Sequence, residues 1–113
     1  MTKKKVEVIH YGHAGHFICA DRCLFHLCTK VGRYLVSSVG SYRSTDLSPQ
    51  PEEIGSGRTY ETLVFELNGE ECPCGCSQPQ HNGMELDGDG YTDAYSANLG
   101  HAAMCEKWER EQQ

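Results

Sequence analysis

Seven cysteines and six histidines occur in a chain of only 113 residues, and this density of soft ligands limits what the chain can fold into. A domain of this length buries a modest core, and small domains often need a disulfide, a metal ion or a partner for stability. Because seven is odd, complete disulfide pairing would leave one thiol over. In a reducing compartment, metal ligation or catalysis is the better use of so many thiols. The composition therefore predicts a metal-stabilised fold if the chain stays in the cytoplasm.

The N-terminal segment and the hydropathy favour a cytoplasmic location. The chain begins MTKKKVEVIHYGH, which is basic but lacks the apolar stretch of a secretory signal. No apolar run approaches the roughly 20 residues that a membrane span needs. The length suits one domain covering residues 1–113. We therefore expect a single cytoplasmic domain that does not enter a membrane.

The charge balance indicates which class of partner the chain binds. The chain has 16 acidic and 10 basic residues, a net charge of −6, and its only basic cluster is at residues 3–5. Direct nucleic-acid binding normally requires a basic stripe or patch. An acidic chain associates more readily with a basic protein surface. We therefore expect a protein partner with a basic surface and no direct nucleic-acid ligand.

Four segments have the alternation or the β-forming residues of strands. These are KVEVIHY (5–11), CLFHLCTK (23–30), RYLVSSV (33–39) and RTYETLVFEL (58–67). Val31 and Gly32 separate the second segment from the third, which predicts a hairpin. Asn68 and Gly69 follow the fourth segment and predict its end.

The remaining segments predict two loops and a helix. Residues 41–57 and 70–92 are rich in small polar residues, prolines, glycines or acids, and the second contains CPCGC. From Asp93 the pattern becomes helical, with Asp93 or Ser96 as the N-cap. The predicted buried helix face comprises Ala97, His101, Met104, Cys105 and Trp108. The predicted fold is α+β: an antiparallel sheet of about four strands, a Cys-rich loop, and a C-terminal helix packed on the sheet.

The strongest metal-site pattern combines the CPCGC segment with the helix. His101 and Cys105 are four positions apart, so they share a helix face. The cysteines of CPCGC are close in sequence, and Gly75 permits a tight turn between them. The predicted ligands of one structural, tetrahedral zinc ion are Cys74, Cys76, His101 and Cys105, with Cys72 as a substitute for either loop cysteine. The alternative is that His101 and Cys105 are core residues, which is common for buried cysteine.

A second metal candidate lies near the N-terminus. Its spacing, H-x2-H-x2-C-x3-C, involves His13, His16, Cys19 and Cys23. The strand predicted for 23–30 places His26 on the opposite face from Cys23, so His26 is left out. A third arrangement, in which His13 or His16 meets Cys74 or Cys76, stays open.

Catalysis is a less favoured interpretation of the N-terminal histidines. A zinc ion held by His13 and His16 with an open coordination position would make a small metal-dependent hydrolase or nuclease. The sequence contains no phosphate-binding glycine loop, nucleophile elbow or H-E-x-x-H motif. We therefore assign no catalytic residue and favour a function other than catalysis.

Three stretches resemble a group of small uncharacterised proteins of bacteriophages and prophages. They are GHAGHFI (12–18), GRTYETLVF (57–65) and GHAAMCEKW (100–108), in this order along most of the chain. The group has no activity to transfer, so the resemblance implies only a phage gene product acting in a bacterial cytoplasm. Small acidic phage proteins without catalytic signatures often bind and block host proteins, including nucleic-acid-targeting defence effectors of the CRISPR type. The resulting expectation is a zinc-stabilised inhibitor that docks through acidic residues in 46–53 and 85–93.

Overall fold

The computed structural model describes residues 5–11, 23–42, 53, 57–71 and 79–113. These residues form five strands and one helix. In chain order they are β1 (Val8–Tyr11), β2 (Cys23–Val31), β3 (Tyr34–Tyr42), β4 (Tyr60–Glu71), β5 (Pro79–Tyr91) and α1 (Ala94–Glu111). The strands lie in sequence order in one antiparallel sheet. The α+β class is therefore confirmed, and α1 is too polar to cross a membrane.

The prediction of about four strands is wrong by one strand, because β5 occupies a region expected to be a loop. Its sequence, PQHNGMELDGDGY, contains three glycines and few β-formers. Its pairing with β4, which is rich in β-branched and aromatic residues, compensates for this weak local preference. The predicted Cys-rich loop at 72–76 lies outside the described residues.

The hairpin between β2 and β3 is confirmed, and its turn contacts the end of the helix. Gly32 has a φ of 61°, which glycine adopts at little steric cost. Gln112 accepts a hydrogen bond from the Arg33 N–H (3.0 Å) and donates one to the Val31 carbonyl (2.9 Å). The C-terminal end of α1 is thereby held against this turn.

One sheet face packs against α1. Alternate residues of a strand point to the same face, and the apolar cluster between the sheet and α1 consists of Val31, Tyr34, Val36, Val64 and, from α1, Met104. The ring centroids of Tyr34 and Trp108 are 4.6 Å apart. Burial of each large apolar side chain contributes about 1.5–3 kcal/mol, so this cluster is the main attachment of the helix.

Beyond β3, strands β4 and β5 continue as a bent two-stranded ribbon. The pairing register shifts at three places between Val64 and Glu71. Gly69 and Gly83 have φ values of 85° and 82°, in the left-handed region that favours glycine. Asn68-Gly69 therefore marks a bend in β4 and not the predicted end of the strand, which continues to Glu71.

The bent ribbon approaches the β1–β2 edge of the sheet. The pKa of Tyr11 is raised by burial and, among nearby charges, by Glu71. The pKa of Lys30 is raised first by its hydrogen bond to Glu7, and Glu71 adds to the increase. Glu71 therefore lies within electrostatic range of both residues. On the face away from α1, the ring of His81 stacks on Phe65 with a centroid separation of 4.1 Å.

The helix begins at the predicted N-cap, and the face predicted to be buried packs on the sheet. Asp93 is the N-cap, and its carboxylate accepts a hydrogen bond from the Ser96 N–H at 2.7 Å. Ala97, His101 and Met104 are buried, while Cys105 and Trp108 are half-buried. A β-carbon at Gly100 would overlap the hydroxyl of Tyr91, so the glycine permits close approach of helix and sheet.

Candidate functional site

A buried histidine joins the helix to polar residues of the sheet. His101 is only 5% exposed. Its Nε2 atom lies 2.9 Å from Oγ1 of Thr29, and its Nδ1 atom lies 2.6 Å from Oγ of Ser38. Ser38 is also hydrogen-bonded to Thr62 at 2.5 Å. Small hydroxyl residues on three neighbouring strands thus leave room for the imidazole and satisfy both of its nitrogens.

These contacts suit a neutral imidazole. Burial lowers the pKa of His101 from 6.5 to about 4, and His10 adds a smaller repulsive contribution. A neutral imidazole donates from one nitrogen and accepts at the other. One of the two hydroxyls accepts and the other donates, so neither nitrogen of the buried imidazole lacks a hydrogen bond.

The polar row extends toward both edges of the sheet. His10 on β1 lies with its Nδ1 atom 2.9 Å from Oγ1 of Thr29. On the other side, the hydroxyl of Tyr91 on β5 lies close to Thr62. A continuous chain of polar side chains therefore crosses all five strands beneath α1.

A cleft of about 430 Å³ opens between α1 and the β1–β2 edge. Its lining includes His10, Tyr11, Thr29, His101 and Cys105. Burial raises the pKa of the Cys105 thiol to about 11; a hydrogen bond to Thr29 lowers the pKa, while Glu106 and Glu109 raise it. Without a metal ion the thiol is therefore protonated at neutral pH and is a poor nucleophile.

The structure brings together two of the ligands predicted for the first zinc site. His101 and Cys105 line the same cleft, as their spacing on one helix face predicted. Cys72, Cys74 and Cys76 lie outside the described residues, so their part in the site stays a prediction. The described neighbour of this segment, Glu71, is within electrostatic range of Tyr11, which lines the cleft.

The structure describes only one residue of the second predicted metal group. His13, His16 and Cys19 lie outside the described residues, and Cys23 is the first residue of β2. Among the residues that the structure does describe, no three His, Cys, Asp or Glu side chains are grouped closely enough to hold a metal ion. Any zinc site in this chain therefore needs ligands from the remaining segments or a rearrangement of the described ones.

The acidic surface predicted for 85–93 is largely a strand. Glu85 and Asp89 are exposed on β5, and Met84 beside them is 63% exposed. Asp87 instead faces α1, where it accepts hydrogen bonds from Lys107 (2.6 Å) and Trp108 (3.1 Å). Most of the other predicted acidic segment, 46–53, lies outside the described residues; Glu53 is exposed.

Sequence reasoning did not identify the hydroxyl residues that surround His101. Thr29, Ser38 and Thr62 are almost completely buried. The available signal was the pair of serines inside the apolar RYLVSSV segment, because a buried serine in a strand needs a hydrogen-bond partner. The identity of that partner depends on how α1 crosses the sheet.

Comparison with known proteins adds no assignment to this geometry. No protein-family model, no curated protein and no solved structure shows significant similarity to the chain.

Proposed function

We propose that this chain is a zinc-stabilised protein-binding module of phage or prophage origin. It acts in the bacterial cytoplasm by docking its acidic surface on a basic host protein and blocking that protein's nucleic-acid groove. A CRISPR-type defence effector is the class of partner that this mechanism fits. The observation that carries the proposal is the acidic edge of the sheet at β5, in a chain of net charge −6.

The charges and apolar groups of β5 suit a protein surface. Glu85 and Asp89 are exposed there, and Met84 and Leu86 expose apolar surface between and beside the carboxylates. Burial raises the pKa of Glu61 on neighbouring β4, and the charge of Glu85 raises it further. A lysine or arginine of a partner would relieve this repulsion, and charge complementarity of this kind favours a basic partner and speeds association.

The donor set of the cleft fits the proposed zinc ion. Ligation by Nε2 of His101 would replace its bond to Thr29 and keep the bond from Nδ1 to Ser38. Such an outer hydrogen bond is the usual way in which a ligating histidine is oriented. Cys105 is one helical turn further along, and a metal ion deprotonates a coordinating thiol.

The remaining ligands would come from CPCGC, with Cys74 and Cys76 as first choices and Cys72 as the substitute. Glu71, which is one peptide bond before Cys72, lies within electrostatic range of Tyr11 and Lys30 at the β1–β2 edge of the sheet. Four protein ligands make a closed, structural zinc site. In this proposal the ion attaches the segment to α1 and performs no chemistry.

The function is tested by capture and competition. The tagged chain is incubated with lysate of a bacterial host, and proteins eluted by high salt are identified by mass spectrometry. We expect a basic protein whose binding to duplex DNA or RNA is inhibited by the purified chain. A captured protein that binds nucleic acid equally well with and without the chain would contradict the occlusion mechanism.

A further inference from the structure

Strand β5 is the last strand of the sheet among the described residues, and its outer edge is accessible. Residues 83–86 and 88–89 are exposed. The strand spans 13 residues, whereas β1 at the opposite edge spans four. A long edge strand offers a row of backbone donors and acceptors to a further strand.

The hydrogen bonds of β5 identify which backbone groups point outward. The N–H of Gly88 donates to Asp87 at 2.8 Å, and the N–H of Gly90 donates to Asp89 at 2.9 Å. Alternate residues of an antiparallel strand direct their N–H groups to the same side. Since carboxylates accept from these two groups, both N–H groups face away from β4.

These contacts protect the edge against unselective pairing. Charged side chains on an edge strand are a common defence against association with other strands. Before foreign carbonyls can accept from these groups, Asp87 must leave the N–H of Gly88 and the Asp89 carboxylate must leave the N–H of Gly90. A lysine or arginine on the incoming strand would give that carboxylate a new partner at the same time.

The geometry points to the outer edge of β5 as the docking site for an extended basic segment of a partner protein. Carbonyls of that segment accept hydrogen bonds from Gly88 and Gly90, and its alternate lysine or arginine side chains pair with Asp89, which lies on the same sheet face as its partner Thr62. This is strand addition, in which backbone bonds provide affinity and side chains provide selectivity. The inference rests on the proposed binding function and specifies its mode.

The test uses the full chain and two synthetic peptides of about nine residues, the length that would cover most of β5. One peptide alternates lysine with valine, and the other replaces each lysine by glutamate. Amide chemical shifts locate binding, and calorimetry measures affinity. We expect the lysine peptide to shift the Gly88 and Gly90 amides most and to bind at least about tenfold more tightly than the glutamate peptide.

Two variants separate a local site from general charge attraction. Asp89→Lys should weaken binding of the lysine peptide by about tenfold or more. Glu111→Lys, at the exposed end of α1, makes the same change in net charge and should alter affinity by less than about twofold. Equal weakening by both variants, shifts centred on α1, or no binding at about 1 mM peptide would overturn the inference.

The host protein distinguishes this inference from the proposed function. A captured partner that binds the Asp89→Lys chain as tightly as the original chain would refute the β5 site and leave the binding function intact. Lysine-peptide binding at β5 without any captured basic partner would refute the proposed function and support the site.

Discussion

The Nδ1 atom of His101 lies 2.6 Å from Oγ of Ser38, although 63 residues separate them in the chain. This contact joins the middle of α1 to the middle strand of the sheet. Apolar packing alone tolerates small sliding movements, whereas a hydrogen bond between two buried groups specifies one position. The pair therefore fixes the position of α1 over the sheet.

Replacement of His101 by alanine should lower the free energy of unfolding by about 3 kcal/mol, because the Ser38 and Thr29 hydroxyls each lose a buried partner and a cavity forms. Urea denaturation measures the change. Asn98→Ala, an exposed position on the same helix, is the control and should change stability by less than about 0.5 kcal/mol. Equal losses in the two variants would contradict the role assigned to His101.

In the zinc-free protein, acid should destabilise the fold through His101. Burial lowers its pKa from 6.5 to about 4, so the unfolded chain binds a proton below pH 6.5 that the folded chain excludes until about pH 4. The contribution is complete above pH 6.5 and decreases as the pH falls toward 4, by about 3 kcal/mol in total. Urea denaturation at several pH values measures the slope. The His101→Gln variant should show a shallower slope, and an unchanged slope would refute this assignment.

Gly100→Ala should destabilise the chain, although alanine is favoured over glycine by about 1 kcal/mol in a helix. The added methyl group would overlap the hydroxyl of Tyr91, and we expect a net loss of about 1–3 kcal/mol. Thermal denaturation measures the change. In a Tyr91→Ala background the overlap is absent, so the same substitution should become neutral or stabilising. A stabilised single variant would show that Tyr91 moves aside at little cost.

Asp87→Asn should destabilise the helix–sheet contact by about 1–2 kcal/mol, because the Asp87 carboxylate accepts charge-assisted hydrogen bonds from Lys107 and Trp108. Denaturant unfolding measures the loss, which should shrink in the Lys107→Ala background. Asp89→Asn is the matched control. Asp89 is exposed, and the side-chain amide oxygen of the variant can still accept a hydrogen bond from the Gly90 N–H. Additive effects of the Asp87 and Lys107 changes would show that the two side chains are not coupled.

Cys105→Ser and Cys76→Ser should each lower the zinc bound per chain and the melting temperature, because each removes a proposed thiolate ligand. Elemental analysis and thermal denaturation measure the two effects. Cys28→Ser is the control, because Cys28 is a buried cysteine that lines the same cleft but is not one of the proposed ligands. It should lower stability and retain zinc. Unchanged zinc in both ligand variants would refute the proposed site.

Local patterns in the sequence predicted most of the regular structure. The β2–β3 hairpin, most of β4 and the buried face of α1 each depend on neighbouring residues, so sequence patterns predict them without the rest of the fold. Their exact bounds differ: the turn lies at Gly32–Arg33, and β4 spans Tyr60–Glu71. β5 was missed because its glycines and acids have weak β-propensity, and its pairing with β4 decides its conformation. The site was predicted only in part: the spacing of His101 and Cys105 indicated one shared face, but not the hydroxyl residues opposite it.

The sequence by itself determined the α+β class, the hairpin, the helix face and the acidic charge, since all of these follow from composition or from short-range spacing. Tertiary structure alone decided that His101 meets Thr29 and Ser38, that Asp87 bonds to α1, and that the bent ribbon brings Glu71 near Tyr11. Each of these contacts joins residues far apart in the chain. Their formation depends on strand order and helix direction, which have no local signal, and on the bends at Gly69 and Gly83. Asn68-Gly69 indicated a turn locally, but not that the strand continues beyond it.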